Sequence, residues 1–287
     1  MGGEGASWLS TVLRKAEPAD LESLAALRAE SFGTDRAEAI DWLQKMAGLE
    51  NVLLLAHTAG DSTAVAAMLA AVPVECGRRR GLWFTGMATA APLRGRGVME
   101  KLLDACLRAY AQSGCEFAVT VPADGRERQA LASLGFRNAF PLRVVRKPIP
   151  RNLFASAEFD NLTVRRLLDL RLHFQPACVQ LPEPTVAEMV TRLYRRGMTI
   201  VSGPRGYGLF CQEGEVLQFL ELQADNDHCA DRLLQAAREH TGASRADILL
   251  AENQTLYLGA GKRCGYGMLR FLQKPFSTTD VYFRLLV

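Results

Sequence analysis

The sequence predicts a mixed α/β protein (an α+β mixed sheet) made of two successive units, and three observations carry that expectation. Segments of strand density alternate with segments of helical spacing along most of the chain. A length of 287 residues exceeds one ordinary domain and suits two of about 140 each. The stretch Lys147-Pro148-Ile149-Pro150-Arg151-Asn152 then supplies two prolines and a polar break near the middle. It puts the boundary between a first domain at 1–148 and a second at 151–287.

In the first half, residues 11–16 read as a strand and 20–32 as a helix with Leu21, Leu24, Ala25 and Leu27 on one face. Residues 35–47 read as a second helix. Residues 51–58 and 63–74 form a hairpin across Gly60-Asp61, with a third antiparallel partner at 79–89. Residues 98–110 place Leu102, Leu103, Cys106, Leu107 and Tyr110 at helical spacing. A buried strand at 115–121, a short helix at 126–134 and a strand pair or ribbon at 136–147 complete the half.

Between the strand that ends near Thr89 and the helix that starts at Val98 the chain must turn tightly, through Arg94-Gly95-Arg96-Gly97. Gly95 and Gly97 remove the side chains that would keep an anion from the backbone. The first-turn amides of the new helix have no internal partners, and with the positive end of the helix dipole they form an anion site. A dinucleotide fingerprint would need a third glycine and a later acidic residue, and a Walker loop would need Gly-Lys-Ser/Thr. Neither is present.

The run Arg94-Gly95-Arg96-Gly97-Val98-Met99 resembles the acyl-coenzyme A loop of the GNAT superfamily of N-acetyltransferases, Arg/Gln-x-x-Gly-x-Gly/Ala followed by an amphipathic helix, except that Met99 replaces the final small residue. With Ala88, Thr89 and Pro92 ahead of it, the loop is similar to that of the enhanced intracellular survival branch, which has two tandem GNAT folds. The resemblance implies that Met87, Ala88 and Thr89 bind the pantetheine arm as if it were another strand. It also implies that Arg94, Gly95, Arg96, Gly97, Val98 and Met99 hold the pyrophosphate of acetyl-coenzyme A.

The second half repeats a weaker version of the same grammar. Residues 162–175 and 185–195 read as helical, 199–202, 207–212 and 215–223 as strands, 227–241 as a helix and 246–251 as a strand. Residues 254–264 read as a turn-rich segment with a short helix, and 268–273 as a closing strand. No glycine loop is found here. Ala224-Asp225-Asn226-Asp227-His228 stands in its place, and its two carboxylates would repel a pyrophosphate, so this half reads as a degenerate GNAT-like domain that does not bind coenzyme A. The sterol-carrier-like domain of the long family members has no counterpart in this sequence.

Acyl transfer to an amine needs an aligned carbonyl, a neutral amine and a proton for the departing thiolate. Many relatives place a Tyr as proton donor five residues before the Phe of a Gly-Phe pair. In Leu131-Ala132-Ser133-Leu134-Gly135-Phe136 that position is Leu131, which leaves Ser133, a residue from elsewhere, or water. Trp83, Phe84, Thr85 and Met87 offer no base. Cys115 has no adjacent His or Lys to lower its pKa for a ping-pong scheme. His57 reads as structural or surface, His173, His228 and His240 lack metal-ligand spacing, and Phe32 and Trp42 read as core.

Hydrophobic residues make up 48% and charged ones 23%, as in a globular protein, and a net charge of +3 indicates no nucleic-acid partner. The seven scattered cysteines form neither a zinc signature nor a disulfide framework and suit a reducing compartment. No apolar run is long enough to span a membrane, residues 1–16 lack a signal-peptide core, and Ala6 breaks the myristoylation pattern. These readings predict a cytoplasmic, metal-free acetyl-coenzyme A-dependent N-acetyltransferase acting on a small-molecule amine, and leave a homo-oligomer open. The rival reading is a catalytically silent acyl-coenzyme A sensor or interaction module on the same fold.

Overall fold

The computed structural model describes residues 11–59 and 62–286, which group into two compact units. The first holds the described residues up to Val74 together with Arg80–Phe136 and Arg270–Lys274; the second holds Glu75–Arg79, Arg137–Leu269 and the residues from Pro275 onward. Among the described residues no helix is long and apolar enough to cross a membrane.

In the first unit the strands lie in the order β1 (Thr11–Lys15), β2 (Val52–Ala59), β3 (Ser62–Cys76), β4 (Arg79–Thr89) and β5 (Phe117–Thr120). β1, β2 and β3 pair antiparallel, and β4 and β5 pair parallel. Turn residues 60–61 of the hairpin and the side chain of His57 lie outside the described residues. Four helices cover the sheet: α1 (Leu21–Phe32), α2 (Arg36–Asp41), α3 (Val98–Gln112) and α4 (Gly125–Ser133). α3 makes the crossover that a parallel pair requires, and buries Leu102, Leu103, Cys106 and Leu107. Asp35 and Asp124 cap α2 and α4 by accepting the amides of Glu38 and Glu127 at 2.7 and 2.8 Å.

The helix read at 35–47 divides here. α2 ends at Asp41 and a π-helical turn, Trp42–Ala47, follows. The wider turn lets Trp42, Leu43, Met46 and Ala47 all be buried, which a 3.6-residue period would spread over a larger arc.

The second unit contains β6 (Arg137–Pro148), β7 (Glu158–Phe159), α5 (Val164–Phe174), β8 (Val179–Gln180), α6 (Glu183–Arg195), β9 (Met198–Gly203), β10 (Gly206–Glu213), β11 (Val216–Ala224), α7 (Asp227–Thr241), β12 (Arg245–Ala251) and β13 (Gly261–Phe271), whose last two residues return to the first unit. The sheet order is β13-β6-β12-β11-β10-β9-β7, while β8 pairs with Glu75 and Cys76 at the end of β3. β11 and β12 are parallel, and α7 is their crossover. Val145, Phe210, Phe219, Leu222, Leu234 and Ile248 form the centre of the core.

Two sequence expectations are corrected in this unit. Residues 136–147 are not a strand pair; one continuous strand, β6, bonds on both edges, to β12 from Leu142 to Pro148 and to β13 from Arg137 to Val145. The short helix expected within 254–264 does not form, and β13 starts at Gly261 instead of 268. The long edge of β6 recruits the extra residues, and the Arg143 guanidinium takes the carbonyls of Leu256, Tyr257 and Gly259 at 2.9, 2.8 and 2.6 Å. Those carbonyls therefore need no helix to satisfy them.

A buried charge pair ties α5 to β11. Arg171 donates through Nε (3.0 Å) and Nη2 to the two carboxylate oxygens of Glu221, and Tyr207 donates its hydroxyl to the same carboxylate. Burial pushes the Tyr207 hydroxyl far above its usual value, so it remains a donor. Glu221→Ala should cost about 3–5 kcal/mol in urea unfolding, because it strands a buried guanidinium. In the first unit the Arg14 guanidinium holds the Asp20 carboxyl below its usual range through hydrogen bonds of 2.6 and 2.7 Å. Such a pair stabilises above the unfolded carboxyl's pKa and loses its contribution as pH falls through the lower folded value. Asp20→Asn should thus lower stability at neutral pH by about 1 kcal/mol and flatten the acid limb of a pH–stability curve.

Candidate functional site

The site in the first unit begins where two strands part. Among the described residues β5 pairs with β4 only at Gly81, Leu82 and Trp83. At the next step the Thr120 hydroxyl, buried, takes the Phe84 carbonyl at 2.9 Å and closes the ladder. Beyond it β4 runs on from Thr85 to Thr89 without a β5 partner. On its other side the chain stays paired to the end, with the Ala90 amide on the Ala66 carbonyl at 2.9 Å. An extended chain laid along the open edge finds backbone donors and acceptors already aligned.

Gly86 bends this edge. Its φ is +62°, and a Cβ there would lie 2.3 Å from Cη2 of Trp42. Trp42 belongs to the π-helical turn, and its ring carries the Arg28 guanidinium 3.7 Å from its centroid, with the Phe32 ring at 4.4 Å on the same cation. Arg28 is buried, whereas the helical reading of α1 had Leu21 on the inner face, which is half-buried. Nothing in the local pattern marks Gly86, because its constraint comes from a ring 44 positions away.

At the end of β4 the chain turns through Ala91–Leu93 into the glycine loop, where Gly95 and Gly97 adopt φ of +74° and +70°. Gly97 is the N-cap of α3 and has no side chain to cover the first-turn amides. A Cβ on Gly95 would meet nothing within 4 Å, so the space beside the loop is open. Val98 is half-buried, and Arg96 is exposed and makes no ion pair with another described residue. Arg94 is placed differently: its Nε donates to the Thr89 carbonyl at 2.9 Å and its Nη2 to Glu30 and Ser31 of α1 at 3.2 and 3.3 Å. In this arrangement it braces the loop.

Met87, Thr89 and Met99 line one cavity of about 180 Å³ with Leu103, Leu131 and Leu134. Ala88 alternates to the opposite, buried face. Leu131 is 2% exposed, and its isobutyl group occupies the cavity wall. Ser133 does not line it: the residue is exposed and its hydroxyl donates to the Ala130 carbonyl at 2.7 Å. The cavity's ionisable groups are Glu100 and Glu127, which sequence reasoning did not place there. Glu127 accepts the Ala123 amide at 2.7 Å. Cys106 faces the core, and burial pushes its thiol up to about 12, which removes it as a nucleophile at neutral pH. No cluster of three or more His, Cys, Asp or Glu able to hold a metal occurs among the described residues.

Residues 12–137 match the family model of the acetyltransferase (GNAT) domain. The chain is similar in structure to a GCN5-related N-acetyltransferase from Kribbella flavida, with a TM-score of 0.72 and 20% identity over 93% of this chain and 72% of that one. A GCN5-related N-acetyltransferase from Anabaena variabilis aligns with a TM-score of 0.69 and 17% identity over 92% and 73%. Eis1 from Mycobacterium abscessus aligns with a TM-score of 0.67 and 12% identity over 91% and 74%. A search of curated proteins found no match.

The Gly86–Trp42 contact yields a stability prediction. Gly86→Ala places a Cβ against the indole and forces a left-handed φ on an L-residue, so the variant should lose about 2–4 kcal/mol, read as a lowered melting temperature. Trp42→Ala in the same background should recover part of the clash.

Proposed function

We propose, from the match of residues 12–137 to the acetyltransferase (GNAT) domain model, that the protein transfers an acetyl group from acetyl-coenzyme A to a primary amine of a small molecule. One observation carries the reading: the open edge of β4 from Thr85 to Thr89 leads directly into the Gly95–Gly97 loop and the uncapped start of α3. An acyl donor with a polyamide arm and a diphosphate has both groups in that order. Backbone groups of Met87 and Thr89 pair with the arm, and Ala88 anchors the strand from its buried face. Amides of Gly95, Arg96, Gly97, Val98 and Met99, aided by the Arg96 guanidinium, hold the diphosphate. Arg94 keeps the loop in register against α1.

In the transfer the amine lone pair attacks the thioester carbonyl, the carbon–sulfur bond breaks with its electrons leaving on sulfur, and the amine gives up a proton. A main-chain amide of β4 near the carbonyl oxygen stabilises the charge that develops there. Leu131 supplies no proton to the sulfur. A thiol of ordinary acidity, pKa about 8.5, leaves tolerably as thiolate, so water can deliver the proton at a reduced rate. The second unit, with its β11–α7–β12 parallel pair, is read as a tandem GNAT-like fold. Solved structures that align over 91–93% of this chain support that reading.

Leu131 also motivates a second reading, a silent acyl-coenzyme A sensor, since it puts an apolar group where the resemblance implies a Tyr donor, and the polar side chains of the cavity are Thr89, Glu100 and Glu127. Titration calorimetry with acetyl-coenzyme A tests the shared part: binding should be saturable, and Gly97→Val should weaken it at least tenfold, as a φ of +70° disfavours Val. No heat at millimolar ligand would overturn both readings. Thiol release against a panel of amines separates them. Turnover by the wild type, raised at least about tenfold by Leu131→Tyr, identifies the enzyme, and binding with no turnover in either protein identifies the sensor.

A further inference from the structure

The second unit has a basic groove beside the start of α7 that the acyl-transfer reading does not use. Asp225 and Asp227 read in sequence as a repulsive pair at this turn, yet both are committed elsewhere. Asp225 Oδ2 accepts from Arg205 Nε at 2.7 Å, and the Asp227 carboxylate accepts the amides of Tyr257 and Leu258 at 2.8 and 3.0 Å. Arginine and histidine side chains line much of the groove instead. A cavity of about 330 Å³ is bordered by Arg205, His228 and Arg232, and it adjoins one of about 540 Å³ bordered by Arg166; the two share Ser156, Gly203 and Pro204.

The guanidinium groups of Arg166 and Arg232 make no ion pair or hydrogen bond with other described residues, and both side chains are exposed. The acidic groups that could oppose them are few. Arg205 and Asp225 neutralise each other, and Glu158, which accepts from Asn161 Nδ2 at 2.7 Å, is the carboxylate that borders the larger cavity, which leaves Arg166 and Arg232 as the guanidinium groups without a charge partner among the described residues. Guanidinium forks match the geometry of phosphate oxygens, and cations spread over two joined cavities suit a ligand with more than one phosphate.

We infer that this groove binds a small anion carrying two or more phosphates, independently of the acyl-donor site in the first unit. The proposal goes beyond the transferase reading, and its test involves no acetyl-coenzyme A. Calorimetry with inorganic pyrophosphate on the full chain carrying Gly97→Val, which disables the first-unit loop, should still give one saturable site. Adding Arg166→Glu and Arg232→Glu should weaken that site at least about tenfold, and the milder Arg232→Gln should weaken it less. These are surface side chains, so the melting temperature should hold and a lost affinity reads as a lost contact. ADP in place of pyrophosphate distinguishes a nucleotide ligand, bound more tightly, from a free phosphate anion, bound equally. Absence of pyrophosphate binding in the Gly97→Val protein, or equal affinity after the double charge reversal, would overturn the proposal.

Discussion

The early end of the β4–β5 ladder is the constraint on which the first unit's site depends. A parallel pair needs a crossover, and α3 supplies it by leaving from the far end of β4. The helix's free amides therefore lie at the same end as the unpaired edge. Had the two strands stayed paired to Thr89, the crossover would be the same but the edge would be sealed. One hydroxyl, that of Thr120 on the Phe84 carbonyl, marks the point of separation. Gly86 then allows the bend that seats Trp42 behind the open segment.

Arginine serves two different purposes in this chain. Several close irregular backbone: Arg143 gathers three carbonyls, Arg238 takes that of Ile149, Arg270 that of Leu134 and Arg284 that of Leu220. Arg171 is sunk in the core against Glu221. Others, Arg96, Arg166 and Arg232, make no ion pair with another described residue and stand at a loop or groove.

The glycine loop, α3 and the strand before it were legible because each rests on local physics: positive φ at glycine, a 3.6-residue apolar stripe and β-branched density. The apolar character of the Leu131 wall was legible for the same reason. The partners of Arg94 were not, because Glu30 and Ser31 lie more than sixty positions away. Ser133 failed as a cavity group through a short-range bond to the Ala130 carbonyl, a habit of helical serine. The missing helix within 254–264 was lost to Arg143, which satisfies those carbonyls from a neighbouring strand.

The sequence by itself determined the mixed α/β class, most of the element order and the position of the glycine turn that opens α3. These follow from periodicity and backbone sterics within short windows. Only the tertiary structure decided where β4 loses its partner, which arginines are spent on backbone, and that Asp225 and Asp227 turn to Arg205 and to the amides of Tyr257 and Leu258. Those outcomes depend on which distant donor reaches a given oxygen first. That is a property of packing, and no local pattern of residues encodes it.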